Sequence, residues 1–411
     1  MQQKPAVPLR RAVNVRDYVS LAVSFVKTQT AAFGPAKASP ARPASLAQAA
    51  PTAGRIVALD GLRGLMTLFV LISHYFAEIP NGIDALAVGW IAVLMFFVLS
   101  GFLVGRLILE KGQHANFFSV FYIRRCFRTL PVYFFCVLVV YAMMRIVGHA
   151  PYMEVKNEFP LWSYLTFTQN VFMAQTGDFG PHWLAPTWTL SVEEQFYLVA
   201  PALFIFLPAR WLMPALIAGT LFAIVFRAVV IGSGLMPPLS ALVYLPGCMD
   251  PLFLGLAAAV VYKTVNLDRF DFALRVIPLV ALASVVALKL LDTGGFLFEV
   301  FFRTIASIGC AAYILSLVRG SPEAASMESP VLCFFGRTSY AVYLTHMMVV
   351  GLMHGAILGT APNIATSAQL AVTVASIPVA ILFGWVVTKI IEEPLTAYGR
   401  QFTWSKQLRA K

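Results

Sequence analysis

Arg63 and His74 are the residues whose types and spacing first suggest chemistry. A fixed cation and a titratable imidazole lie within one apolar run, residues 60–76, Asp-Gly-Leu-Arg-Gly-Leu-Met-Thr-Leu-Phe-Val-Leu-Ile-Ser-His-Tyr-Phe. A helix turns about 100° per residue, so the eleven steps between them bring both side chains to one face, roughly 16 Å apart along the axis. That spacing is about half of a bilayer hydrocarbon core. A guanidinium is a fixed charge suited to anionic oxygens, and an imidazole titrates near neutral pH. Polar groups on a membrane helix are costly unless they face protein or water. The stripe is therefore either a functional path, or a snorkelling Arg63 with His74 satisfied by a neighbouring helix.

Four further constellations carry polar chemistry in apolar surroundings. Phe96-Phe97-Val98-Leu99-Ser100-Gly101-Phe102 places a small Ser-Gly step in an aromatic segment, which favours close helix approach. In Phe121-Tyr122-Ile123-Arg124-Arg125-Cys126-Phe127-Arg128-Thr129-Leu130-Pro131, Arg125 and Arg128 share a helix face, and guanidinium forks match phosphate oxygens. Two readings stand for this pair: a hold on the phosphates of a cytoplasmic nucleotide-bearing donor, or boundary charge facing lipid phosphates. Thr187-Trp188-Thr189-Leu190-Ser191-Val192-Glu193-Glu194-Gln195-Phe196-Tyr197 opens a helix with two consecutive carboxylates, of which Glu193 pairs with Tyr197 at i,i+4. Glu193 is expected at the depth of His74, as the carboxylate that fixes its tautomer. Finally, Phe335 to His346 holds Ser339, Tyr340, Tyr343 and His346, with Glu392-Glu393-Pro394 further on. Tyr340 and Tyr343 are expected to bond across helices.

The elements that position these residues follow from composition. Of 411 residues, 59% are hydrophobic and 12% charged; mean hydropathy is +0.78. This describes an all-α, polytopic transmembrane helical bundle rather than a soluble domain or a barrel. Ten spans are expected, at 62–79, 86–109, 130–148, 189–207, 211–232, 248–262, 274–291, 300–318, 338–358 and 368–390. An even count puts both termini on one side, and the excess of Lys and Arg in alternate loops makes that side cytoplasmic. Arg63 then lies near the cytoplasmic face and His74 nearer the outer one. The longest exterior connection, 149–187, holds Trp162, Asn170, Asp178, His182 and Trp183, and is expected to be partly helical or functional. Its aromatic residues suit a sugar surface or a membrane anchor.

Residues 1–54 are expected to be a cytoplasmic extension without a signal peptide, Ala- and Pro-rich over 30–54. Tyr18, Leu21, Ala22, Phe25 and Val26, beside Arg16 and Lys27, fit a membrane-surface helix or a frayed tail. Residues 55–398 form the membrane domain and 399–411 a basic tail. The net charge of +11 resides in loops and tails, so no nucleic-acid partner is needed to explain it. Five scattered cysteines and six unclustered histidines indicate neither a disulfide framework nor a metal site.

Together these stretches resemble the acyltransferase 3 family, integral membrane acyltransferases that modify bacterial surface polysaccharides, antibiotics and lipid-linked saccharides. The similarity runs from about residue 55 to 398. It rests on Leu-Asp-Gly-Leu-Arg-Gly with Arg63, ten residues and His74; on Phe-Phe-Val-Leu-Ser-Gly-Phe-Leu; on Arg125-x-x-Arg128; on Trp-Thr-Leu-Ser-Val-Glu-Glu-Gln-Phe-Tyr; and on Ser-Tyr-x-x-Tyr-Leu-x-His with the terminal Glu-Pro. The resemblance implies transfer of an acyl group, most often acetyl, from cytoplasmic acyl-coenzyme A to a hydroxyl of an exterior or lipid-linked saccharide. It puts catalysis on His74, Glu193 and Arg63, and donor binding on Arg125 and Arg128. Support of substrate or structure falls to Asp60, Ser191, Tyr197, Ser339, Tyr340 and His346. Acyl-coenzyme A is expected as a co-substrate rather than a resident cofactor. The implied setting is the bacterial cytoplasmic membrane, with polysaccharide-biosynthesis proteins as partners. Some larger members carry a hydrolase-like periplasmic domain, whereas seventeen residues follow Pro394 here. The acceptor step is thus expected within the membrane domain or through another protein.

Two competing readings remain. A proton-coupled transporter or flippase also combines Arg, His and Glu in a bundle, although no inverted repeat is evident and a carrier does not require the arginine pair. A non-catalytic sensor or scaffold would retain the motifs without turnover.

Overall fold

Apolar runs of this length satisfy their backbone polar groups internally, and helices do so within one segment. The computed structural model describes residues 56–292 and 294–405, so the extension 1–54 and its surface-helix reading lie outside the described residues. Ten long helices organise the chain: α1 (Val57–Phe76), α2 (Gly89–Lys111), α3 (Phe117–Val147), α4 (Trp188–Phe206), α5 (Ala209–Ser233), α6 (Leu245–Thr264), α7 (Asp271–Leu291), α8 (Phe296–Arg319), α9 (Pro330–Leu358) and α10 (Ser367–Val387). No strand occurs among the described residues beyond an isolated bridge between Val155 and Pro181. The fold is an all-α polytopic bundle.

Nine helices among the described residues are long and apolar enough to cross a membrane, rather than the ten expected. The difference is α4, whose consecutive Glu193, Glu194 and Gln195 lower its mean hydropathy. A second correction concerns α3, expected from residue 130 but beginning at Phe117. Phe117, Val120 and Phe121 are buried at helical spacing, so the apolar stripe continues upstream and Arg125 and Arg128 lie inside the helix rather than at its edge. The long connection is partly helical as expected, with 3-10 turns at Pro151–Met153 and His182–Thr187 and short helices at Leu161–Leu165 and Gln169–Thr176.

Two close helix crossings build the centre. α1 packs along α9, where a Cβ added at Gly64 would sit 2.0 Å from the Leu332 carbonyl oxygen and one at Gly336 would sit 1.9 Å from that of Asp60. α2 packs along α6 at the expected Ser-Gly step: a Cβ at Gly101 would meet the Leu252 oxygen at 2.1 Å. Small residues let the backbones touch, the usual device where lipid removes any hydrophobic drive between helices. Helix α7, only 11% buried over its apolar window, lies at the periphery, whereas α6, α8 and α9 are more than half buried.

The peripheral α5 is tied inward by Arg227, which no motif signalled. Its guanidinium is fully buried and forms a two-pronged pair with Asp250 of α6, at 2.9 and 3.0 Å. It also donates to the carbonyls of Val300 and Gly247 and to Thr304 Oγ1, so all its polar atoms in the bundle have partners. At the other boundary, residues 400–405 clasp the start of α3: Arg124 Nε donates to the Phe402 carbonyl at 2.8 Å, Asn116 Nδ2 to that of Thr403 at 3.0 Å, and Trp404 stacks on Phe117. The described part of the expected basic tail is therefore docked against the helix that carries the arginine pair.

Asp250→Ala strands a buried guanidinium, and removing one partner of such a pair costs about 3–5 kcal/mol. Thermal unfolding of the purified protein in nanodiscs is expected to show a correspondingly large drop in midpoint.

Candidate active site

The α1–α9 crossing brings His74 to His346. His346 Nδ1 faces the carbonyl oxygens of Tyr343 at 2.8 Å and Val342 at 3.2 Å, which assigns it the proton. Its Nε2 is then an acceptor for His74 Nδ1–H, 2.6 Å away. Tyr75 OH donates to the His346 carbonyl at 2.8 Å and further fixes the pair. The network leaves the His74 Nε2 lone pair free, 3.5 Å from Glu78 Oε2. Glu78 is itself held by Ser73 Oγ at 2.7 Å. A neutral imidazole, oriented from behind and with a carboxylate beside its free nitrogen, is arranged to accept a proton and stabilise the resulting charge.

This corrects the expected His74–Glu193 contact. Glu193 Oε1 accepts from Ser100 Oγ at 2.5 Å and Oε2 from Tyr197 OH at 3.2 Å, the latter being the expected i,i+4 pair. Helix α4 enters from the histidine end through a 3-10 turn, and Glu193 lines the arginine cavity rather than the histidine cleft. The partner role passes to His346 and to Glu78, one helical turn beyond His74 and legible as an i,i+4 neighbour.

Two spaces flank the Arg63/His74 stripe. At the arginine end, a cavity of about 130 Å³ is lined by Arg63, Arg125, Arg128, Glu193, Tyr197, Ser339 and Tyr340, among others. Arg63 Nη2 donates to Ser339 Oγ at 3.3 Å, and Arg125 lies 3.6 Å over the Tyr197 ring with its buried Nε lacking a partner. None of the three guanidiniums makes an ion pair within 4.0 Å among the described residues. At the histidine end, an open cleft of about 580 Å³ is lined by His74, Glu78, Trp90, Glu154, His182 and Trp188 with neighbouring loop residues. Tyr343 and Val93 line both spaces and form the partition between them.

The remaining sequence candidates divide by role. Tyr340 OH donates to the Thr129 carbonyl at 2.7 Å, and Tyr343 OH bonds Thr189 Oγ1 and the Pro186 carbonyl, each at 3.0 Å, so both bond across helices as expected. Asp60 contributes its carbonyl to the Gly336 contact rather than a side chain to either space. Ser191 is fully buried, its hydroxyl has no partner, and it lines neither space. Trp162 is exposed whereas Trp183 is buried with Nε1 donating to the Tyr152 carbonyl, so the two tryptophans of the long connection do different work. Glu78, Ser100, Glu154 and His182 were not among the sequence candidates for the site, although Glu78 stands at i+4 from His74 and Ser100 and His182 fall in stretches the sequence singled out; their partners emerge only in space.

A family model described as an acyltransferase domain, Acyl_transf_3, matches residues 56–388. Among curated relatives, a protein of Staphylococcus aureus (strain COL) that carries the name O-acetyltransferase provisionally is 28% identical over 324 residues, 73% of this chain and 51% of its own length. The peptidoglycan O-acetyltransferase OatA of Listeria monocytogenes serovar 1/2a is 27% identical over 353 residues, 75% of this chain and 51% of that protein. The O-acetyltransferase OatA of Staphylococcus aureus (strain NCTC 8325 / PS 47) is 26% identical over 321 residues, 71% and 50% respectively. The chain thus spans about half the length of the curated relatives it matches. No solved structure matches. A match that begins at the head of α1 and runs through α10, enclosing both the arginine cavity and the histidine pair, makes this chain a member of the acyltransferase 3 family.

Proposed function

We propose that the protein is a membrane O-acetyltransferase that takes the acyl group of acetyl-coenzyme A at the arginine end and transfers it to a saccharide hydroxyl at the histidine end. The observation that carries this reading is the pairing of two unlike spaces along one stripe. Three guanidiniums with no ion pair within 4.0 Å among the described residues line one, and an imidazole with a free nitrogen lines the other. Three phosphate groups on an adenine nucleotide match such a set of cations, and guanidinium is the side chain suited to them. The pantetheine arm follows the stripe past Tyr343 and Val93, which border both spaces.

In the reaction, His74 Nε2 removes the proton of the acceptor hydroxyl as its oxygen attacks the thioester carbonyl. The tetrahedral adduct then expels the thiolate, which recovers the proton from His74, so ester and thiol are the products. Glu78 stabilises the transient imidazolium, and this favours the general-base route over an acyl-imidazole. His346 is a positioning residue that holds the His74 tautomer. Glu193 acts at the donor end, where it orders Ser100 and Tyr197 beneath Arg125.

Acceptor chemistry is proposed from the cleft's Trp90 and Trp188, whose aromatic faces suit sugar rings, and from the relative named for peptidoglycan. Lys and Arg enriched at the arginine end support placing it in the cytoplasm of a bacterial inner-membrane protein, with the cleft facing outward.

His74→Ala in correctly inserted protein is expected to lower acetyl transfer at least about 100-fold, the range lost with a general base. Mass spectrometry of surface glycans from cells with and without the protein measures this, and retained acetylation in the variant would overturn the assignment. Arg125→Ala and Arg128→Ala are each expected to weaken acetyl-coenzyme A binding about tenfold, as loss of a charge-assisted contact implies. Calorimetry in nanodiscs reads that change; unaltered affinity in both variants would remove the donor from this cavity.

A further inference from the structure

The cleft contains a second histidine–carboxylate pair that the acyl-transfer chemistry does not use. His182 Nδ1 lies 2.7 Å from Glu154 Oε2, and both residues line the space reached by His74. A carboxylate on Nδ1 assigns the proton there and leaves Nε2 as a fixed acceptor. Nε2 makes no hydrogen bond among the described residues, and the side chain is about a third exposed, at 32%. The pair is thus oriented from one side and open on the other.

The backbone around it is built to hold this geometry. Glu154 adopts φ +50° and ψ +48°, a left-handed conformation that is costly for a residue with a Cβ and that persists where the surroundings over-determine it. The turn Pro151–Met153 precedes it, and the next residue, Val155, bridges to Pro181, which adjoins His182. On the other side of His182, Trp183 is 2% exposed and its indole donates to the Tyr152 carbonyl at 3.2 Å. Both members of the pair are therefore fixed by one small, closed unit. A part-exposed ion pair contributes little to stability, which does not account for a strained backbone that serves to place one.

We propose that His182, held by Glu154, is the acceptor-positioning residue of this cleft, and that its Nε2 receives a hydroxyl of an uncharged or amine-bearing sugar ring. The proposal rests on the acyl-transfer reading and names the acceptor class for the same site. The charge around the cleft determines the class: Glu78, Glu154 and Asp178 line it with Lys156 as the one lysine or arginine. A uronic acid or phosphorylated sugar would meet net repulsion, whereas a neutral ring or a protonated amine would not. Trp90, the less buried of the cleft's two tryptophans, supplies an apolar surface for the same ring.

The test uses the full chain in nanodiscs and three probes read by saturation-transfer NMR: methyl glucoside, methyl glucosaminide and methyl glucuronide. The glucoside and glucosaminide are expected to bind, with the glucuronide at least about tenfold weaker. His182→Ala is expected to weaken glucoside binding about tenfold, the scale of one lost hydrogen bond. His182→Gln, which retains a polar group at that reach, recovers most of it, and Glu154→Gln falls between. Acetyl-coenzyme A affinity is unchanged in all three variants, which also reports that they fold. The proposal is overturned if the His182 variants bind glucoside like the parent protein, if glucuronide binds as well as glucoside, or if none of the probes binds. Failure of the acyl-transfer reading shows separately, as absence of acetyl-coenzyme A binding to the parent protein.

Discussion

The contact between α1 and α9 is the constraint on which the rest of the structure depends. Gly64 and Gly336 let the two backbones touch, and side chains further along both helices meet as a consequence. Arg63 reaches Ser339 beside that approach, and His74 reaches His346 further along. A methyl group at either glycine would push into a carbonyl oxygen of the opposing helix, which cannot move without moving its helix. The separation of the two polar centres is set by helical rise, and their partners are set by this one crossing.

Around that axis the bundle sorts its charges into two environments. The arginine cavity collects cations that lack ion-pair partners and are ringed by hydroxyls, while the cleft collects histidines, each with a carboxylate in reach. Tyr343 stands between them, its hydroxyl engaged by Thr189 and the Pro186 carbonyl, so the partition is pinned to the turn that enters α4. That turn belongs to the same unit that holds His182 and the buried Trp183. The long connection is therefore part of the wall of the working spaces rather than a cover laid over them.

Stability and site geometry come from different polar groups. Arg227 with Asp250 and Thr304 is fully buried, fully satisfied and remote from both spaces, and it ties an otherwise lipid-facing helix to the centre. The residues around the two spaces are less completely paired, with Arg125 Nε the clearest case. Groups that must meet a ligand cannot be saturated by the protein first.

Composition and local periodicity determined the helical bundle, the face shared by Arg63 and His74, the i,i+4 pair of Glu193 with Tyr197, and the close approach at the Ser-Gly step. These depend on rise, rotation and side-chain size, all of which act within a few residues. Tertiary structure alone decided that His346 and not Glu193 meets His74, that the arginines lie inside α3, and that Arg227 anchors α5. Partners 272 residues apart share no local signal. The carboxylate of Glu193 is delivered to the arginine cavity by a helix entered through a 3-10 turn, His182–Thr187, which no periodicity in the chain announces. The pairing of Glu154 with His182 was not legible either, because it arises from a left-handed residue and a two-residue bridge rather than from any repeat in the chain.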